Sequence, residues 1–288
     1  MANATTNEGS NMNIYISFDM EGLAGIDYFS QEKERKERFQ EVIHAQLHYV
    51  IEGIQNSSYN NQVEEITVAD SHNNGNNLDY LKVSAMDDRV RLISGSPRKE
   101  FMMSGLPGHD VAIFLGYHAG AGQHKAAMDH SFSTTVHSLN VNSIKCSEAM
   151  VNALYAKELK IPVGLIIGDS GLHDQLIRDG YMRGIPFVIT KNSLGRGASK
   201  YKNAQVLKRE IAQAMEELLK KDPGTMAFPL LEAPYSITVE YQNTLQADTA
   251  ERVPNTQRLD GYRIGILTHN AKEMINAISV LTTIVPGE

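Results

Sequence analysis

The chain has 288 residues, 42% of them hydrophobic and 21% charged, and a formal net charge of −7. This apolar content supports a sizeable core and excludes a disordered chain, while no apolar run approaches the ~18–20 residues that span a bilayer. The single Cys excludes an intrachain disulfide and paired-cysteine metal motifs, and the acidic balance excludes the broad basic face of a nucleic-acid binder.

Residues 1–12 (MANATTNEGSNM) are small and polar, without the basic and apolar stretches of a secretory signal, and are expected to form a disordered tail. The fold is expected to begin at Asn13 with a buried strand, NIYISFD, that ends in acid. A long helix follows over 31–55, where Phe39, Ile43, Leu47, Val50, Ile51 and Ile54 recur at helical spacing. Its opening charge run, 32–38, reads as a solvated face. Strands are expected at 65–70 and 90–93, and again at 111–116, whose wholly apolar sequence suits a sheet centre covered on both faces.

The β-branched alternation of 131–141 predicts one or two antiparallel strands. Then come a helix over 147–159, a strand over 161–167, a helix near 174–182 and a strand over 186–190. Residues 204–221 form an amphipathic helix stopped by Asp222-Pro223-Gly224. Strands at 235–241 and 262–268 precede a last helix over 271–283. The alternation points to an α/β fold, with a mostly parallel sheet flanked by helices. Residues 13–220 are expected to form this core, and residues 221–288 a smaller C-terminal α+β portion packed on it.

Ligands of open α/β sheets bind beyond the carboxyl ends of the strands. Three of those ends carry chemistry: Asp19-Met20-Glu21-Gly22, Asp70-Ser71-His72 and Gly116-Tyr117-His118-Ala119. Singly, a strand-terminal Asp also serves as a helix cap, and a lone His as a core or surface residue. Together they deliver mixed carboxylate and imidazole ligands to one rim, which suits zinc or a similar divalent ion. More ligands than one open tetrahedral site requires suggest two ions sharing a carboxylate.

His44 and His48 have the spacing of a helical zinc pair but lack the Glu after the first His, so they are read as ordinary residues flanking an apolar stripe. His124, His130, His137, Cys146 and Glu148 are further candidates, Cys146 reading more simply as a small buried hydrophobe. Lys191, Arg196 and Lys200 lie in a glycine-broken basic segment that suits either an anionic substrate group or solvent.

The ordered series Asp19-Met20-Glu21-Gly22, Asp70-Ser71-His72 with Asn76-Asn77-Leu78, Gly116-Tyr117-His118-Ala119 and His130-Ser131 resembles the M55 peptidase family. The likeness continues through Cys146-Ser147-Glu148, Asn152-Ala153, Gly168-Asp169 and 191–200, and so covers nearly the whole chain after Asn13. It implies a two-zinc aminopeptidase that releases the N-terminal residue of short peptides, a D-residue such as D-Ala. By that likeness Asp19 bridges two Zn²⁺ ions per subunit, Glu21 and His72 complete one site, and His118 and Glu148 the other. His130 is then the catalytic residue, as nucleophile or as acid/base, and Asn152, Lys191 and Arg196 are the expected substrate contacts.

The resemblance further implies a cytoplasmic homodecamer, with no nucleic-acid or membrane partner. Two departures fall in loops that shape the pocket: segment 118–130 is one residue longer and adds His124, and Cys146 replaces a small or apolar residue. Two other readings of such a site are a two-metal phosphatase or phosphodiesterase, and a metal-binding oligomeric scaffold without catalysis.

Overall fold

The apolar run at the middle of the chain becomes the middle strand of a seven-stranded sheet. The structure is a computed structural model that describes residues 11–178 and 180–285. Of the tail expected over 1–12, residues 1–10 lie outside the described residues, and Met12 already belongs to the first strand. The strands are β1 (Met12–Phe18), β2 (Val63–Asp70), β3 (Val90–Ile93), β4 (Val111–Tyr117), β5 (Val136–Val141), β6 (Ile144–Lys145), β7 (Val163–Asp169), β8 (Phe187–Gly195), β9 (Ala198–Tyr201), β10 (Tyr235–Tyr241), β11 (Gln257–Arg258) and β12 (Arg263–Thr268). The α-helices are α1 (Gln31–Glu34), α2 (Lys36–Gln55), α3 (Tyr80–Ser84), α4 (Glu148–Glu158), α5 (Ser170–His173), α6 (Ala204–Leu219), α7 (Thr244–Ala250) and α8 (Ala271–Thr283).

The large sheet runs β3-β2-β1-β4-β7-β8-β9, parallel throughout except for the antiparallel β8–β9 pair. Successive side chains of β4 serve opposite faces: Ala112 and Phe114 enter one core, Ile113 and Leu115 the other. On the second face, the stripe of α2 packs with Leu207, Ile211 and Met215 of α6. Each such aliphatic side chain, fully buried, contributes about 1.5–3 kcal/mol.

The first face is covered by α4, α8 and a second, antiparallel sheet ordered β11-β12-β10-β5-β6. Its inward residues alternate cleanly along β10, where Tyr235, Ile237, Val239 and Tyr241 are buried. This sheet is not confined to 221–288, because β5 and β6 come from 136–145, β5 pairing with β10 and β6 with β5.

Local differences from expectation have local causes. The helix over 31–55 is broken at Arg35, whose φ of −131° and ψ of 42° separate α1 from α2. The helix expected near 174–182 starts earlier, because Asp169 at the end of β7 accepts a hydrogen bond from Leu172 N at 2.7 Å and caps α5 at once. A π-turn, Asp174–Arg178, follows it. The basic segment 191–200 is no loop but the β8–β9 hairpin. The unforeseen α7 is fixed by a capping box between Asn243 and Gln246.

Past their carboxyl ends, β1 and β4 nearly touch. Asp19 N donates to Leu115 O at 2.8 Å and Gly22 N to Gly116 O at 2.7 Å. Gly116 has φ +79°, and a Cβ there would sit 1.9 Å from Asp19 O. Gly116→Ala is therefore expected to lower stability by about 3 kcal/mol or more, read from the urea midpoint of the purified variant. A midpoint equal to that of the wild type would show that the two strand ends can separate freely.

Candidate metal centre

Because β1, β2 and β4 are parallel, their carboxyl ends open onto one rim, and the chain just beyond each supplies a ligand candidate. Asp19 and Glu21 follow β1, His72 follows β2 and His118 follows β4. Two further side chains arrive from elsewhere: Glu148 opens α4, and His130 comes from the connection between β4 and β5. Ser147 caps α4 by accepting from Met150 N, which sets Glu148 in the first turn.

These six side chains converge. His72 Nδ1 lies 3.0 Å from Glu21 Oε1 and 3.5 Å from Asp19 Oδ1. His118 Nε2 lies 3.6 Å from Asp19 Oδ2 and 3.5 Å from Glu148 Oε1. His130 Nε2 lies 3.5 Å from Glu148 Oε1 and 3.7 Å from Glu21 Oε1, its ring stacked on His118 with centroids 4.2 Å apart. Asp19, Glu21, His118 and Glu148 are all buried, none more than 4% exposed.

Each imidazole turns one nitrogen to an oxygen and the other to the shared space. His118 Nδ1 donates to Ala119 O, His130 Nδ1 to Met128 O and His72 Nε2 to a carboxylate oxygen of Glu32. Oriented in this way, a ring offers its remaining lone pair to a metal. Asp19 Oδ2 and His118 Nε2 are buried with no hydrogen-bond partner, a cost that a cation between them removes. Donor types, orphaned atoms and ring orientations together fit a divalent metal, with Asp19, Glu21 and His72 forming one ligand group, Asp19, His118 and Glu148 a second, and Glu21, His118 and His130 an overlapping third.

The electrostatics follow from burial. Desolvation, with Glu21 beside it, pushes the Asp19 carboxyl well above its usual range. Burial opposes ionisation of Glu21 as well, but His72 overcomes it and holds that carboxyl well below the usual value. Glu148 is lowered in the same way against burial, by His118 and then His130. Burial disfavours charge on His118, yet Glu148, Glu21 and Asp19 hold its pKa up at about 10. His72 is likewise raised against burial, chiefly by Glu21. His130 is lowered, by burial and by the adjacent His118.

Around this centre the fold holds the ligand-bearing loops. Asp70 accepts from Asn77 N at 2.6 Å and Leu78 N at 2.9 Å, bracing the turn that presents His72. Phe132 adopts φ +60°, and its amide donates to Glu148 Oε1 at 2.6 Å. A cleft of about 940 Å³ opens over the site, lined by Asp19, Glu21, His72, His130 and Glu148 with the rings of Phe29, Phe101 and Phe132.

The three expected substrate contacts lie elsewhere. Lys191 is 1% exposed, and its ammonium donates to Glu21 O at 2.6 Å and to Ile26 O, tying down the loop after β1. Asn152 is fully buried, its amide donating to Tyr117 Oη at 2.9 Å. Arg196, at the tip of the β8–β9 hairpin, pairs with Asp129 Oδ1 at 2.7 Å and so braces the segment that carries His130. None of the three lines the cleft. All three instead hold the parts that do.

His44 is saturated by Gln40 O and Asp79 N, and His48 faces Glu52, so neither is a ligand. His124 and His137 are exposed, and Cys146 is buried, with burial pushing its thiol up to about 12. Glu32 was read only as part of a charge run. Nothing in the spacing ties it to His72, forty positions away.

A search of the curated proteins found no match. Among solved structures, the chain is similar to the "Zn-dependent D-aminopeptidase DppA from Bacillus subtilis, a self-compartmentalizing protease". The two share 25% sequence identity and a TM-score of 0.85, over 95% of this chain and 97% of that one. The family model of the M55 peptidases, described as D-aminopeptidase, matches residues 12–280. The chain belongs to the M55 peptidase family.

Proposed function

We propose that this protein is a zinc-dependent aminopeptidase that removes an N-terminal D-residue from short peptides, with two Zn²⁺ ions per subunit. The observation that carries the reading is the buried meeting of three carboxylates and three imidazoles around the orphaned Asp19 Oδ2 and His118 Nε2. Asp19 turns one oxygen to the His72 side and the other to the His118 side, so its carboxylate would serve both halves of the centre. Glu21 and His72 complete one half, and His118 and Glu148 the other. When bound, zinc lowers the pKa of a coordinated water toward ~7 and polarises the scissile carbonyl.

The remaining work belongs to the chain. His130 keeps its Nδ1 proton on Met128 O and offers Nε2 to the centre. Its lowered pKa leaves it neutral at neutral pH, ready to accept a proton there and hand it to the departing amine. Phe29 meets the His130 ring in a T-shaped contact with centroids 5.3 Å apart. The cleft, at about 940 Å³, accommodates a peptide of a few residues, and its mixture of Phe rings with Ser30, Asn73, Asn74 and Ser133 suits side chain and backbone alike.

Family membership favours peptide hydrolysis over phosphoester hydrolysis on such a site, and His130 beside the ligand groups favours catalysis over a scaffold. An assembly of several copies, here a decamer, is part of the reading, in keeping with the self-compartmentalizing neighbour. So is a cytoplasmic location, where the unpaired thiol of Cys146 is at home.

Asp19→Ala should abolish zinc content and peptide hydrolysis together, measured by metal analysis and by release of free D-amino acid. A variant that retains two zincs per chain would remove Asp19 as a bridge. His130→Ala should keep its zinc but turn over at least ~10²-fold more slowly, the scale of a positioned acid or base. Near-normal turnover in the zinc-loaded variant would take His130 out of the reaction.

Zinc affinity should also depend on pH. His72 and His118 are held above their ordinary values in the metal-free chain, so they carry protons at neutral pH that zinc must displace. Affinity should therefore rise with pH between about 6 and 8, by up to roughly tenfold per unit for each proton released. A flat profile in zinc titrations would show that these rings are already neutral.

A further inference from the structure

We propose that Glu32 is a positioning residue of the metal centre, holding the His72 ring in the one orientation that turns Nδ1 toward Asp19 and Glu21; the inference rests on the zinc reading above. His72 Nε2 meets Glu32 Oε1 at 2.7 Å, while Nδ1 on the opposite side of the ring faces Glu21 Oε1 at 3.0 Å and Asp19 Oδ1 at 3.5 Å. A ring flip would put Cδ2 in the place of Nδ1 and Cε1 in the place of Nε2, taking the inner nitrogen away from both carboxylates and the outer one away from Glu32. A carboxylate accepts a hydrogen bond and cannot donate one, so Glu32 fixes the tautomer along with the orientation. When a metal displaces the Nδ1 proton, the Nε2 proton stays hydrogen-bonded to Glu32 and the lone pair of Nδ1 faces the centre.

The other two imidazoles have no such dependence on a side chain. His118 and His130 are held by the backbone carbonyls of Ala119 and Met128, at 2.9 and 3.0 Å, which the local chain supplies whatever the neighbouring side chains are. Only His72 relies on a side chain from a distant part of the sequence. Glu32 lines the same cleft, but its carboxylate meets His72 at Nε2, not at the Nδ1 that faces Asp19 and Glu21.

The place of Glu32 gives this contact a second consequence. It lies in the four-residue α1, and the same short stretch sends Phe29, Ser30 and Lys33 into the cleft wall. Phe29 also packs on His130. A peptide seated in the cleft would therefore lie against the same segment that sets His72.

The test is zinc affinity of the purified full-length chain by competition with a chromogenic chelator, in wild type, Glu32→Ala, Glu32→Gln and Glu34→Ala. Glu32→Ala should bind one of the two zincs about 10–100-fold more weakly and leave the other unchanged, the usual scale for a lost outer partner of a ligating His. Glu32→Gln, whose amide oxygen can still accept the ring N–H, should recover part of that loss. Glu34→Ala, at an exposed position of the same helix, should match the wild type.

Wild-type affinity in Glu32→Ala overturns the assignment. So does a loss shared equally by both zincs, which would report damaged folding, and so does a Glu32→Gln variant no better than Glu32→Ala. A wild-type chain that takes up no zinc overturns the zinc reading and this inference together, whereas a zinc-replete wild type with an unaffected Glu32→Ala overturns this inference alone.

Discussion

Three carboxylates and three imidazoles share one buried space, and most of the structure can be understood as the means of holding them there. Isolated charges out of water cost several kcal/mol each, so a cluster of this kind persists only if its members compensate one another or share a cation. The directions of the perturbed ionisations express that balance: Glu21 and Glu148 are held ionised, His72 and His118 are held protonated, and Asp19 is driven toward its neutral form. Two atoms are left over, Asp19 Oδ2 and His118 Nε2, and they face each other across 3.6 Å. In the proposed reading, metal ions take over the part that the imidazole protons play in the metal-free chain.

The parallel sheet makes the cluster possible because it brings strand ends distant in sequence to one rim. It does not by itself fix the side chains. That falls to a surrounding layer of contacts: Asp70 bracing the His72 turn, Lys191 tying the loop after Glu21, and the hairpin tip reaching across through Arg196 to Asp129 and through Gly197 N to Ala127 O at 2.8 Å. The strained backbone of Phe132 has a similar purpose, since its left-handed conformation aims an amide at Glu148. Lys191, Arg196 and Asn152, the substrate contacts expected from the likeness, all make contacts of this bracing kind.

Much of this was legible in the sequence, for identifiable reasons. The wholly apolar β4 announced a central strand because both its faces are covered, and the stripe along α2 announced a helix because only one of its faces is. Asp19, Glu21, His72 and His118 could be picked out because strand ends are where such sheets bind ligands. Glu148, which opens α4, and His130, in the connection between β4 and β5, lie at no strand end, so the residues alone left them among several candidates and only the family likeness gave them roles. The second sheet was less visible, since β5 pairs with β10, about a hundred residues away, and nothing local specifies that partner. Glu32 was hidden for the same reason: a charge at the start of a helix looks solvated until the fold brings His72 against it.

Metal ions in the shared space, with Asp19 between them, are the central requirement of the proposed function. Anomalous diffraction at the zinc edge, from crystals of the zinc-loaded protein, reads this directly. Two peaks are predicted, one bounded by Asp19, Glu21 and His72 and the other by Asp19, His118 and Glu148. A zinc-loaded crystal with no peak in that space, or with its peaks elsewhere, would contradict the account at its centre.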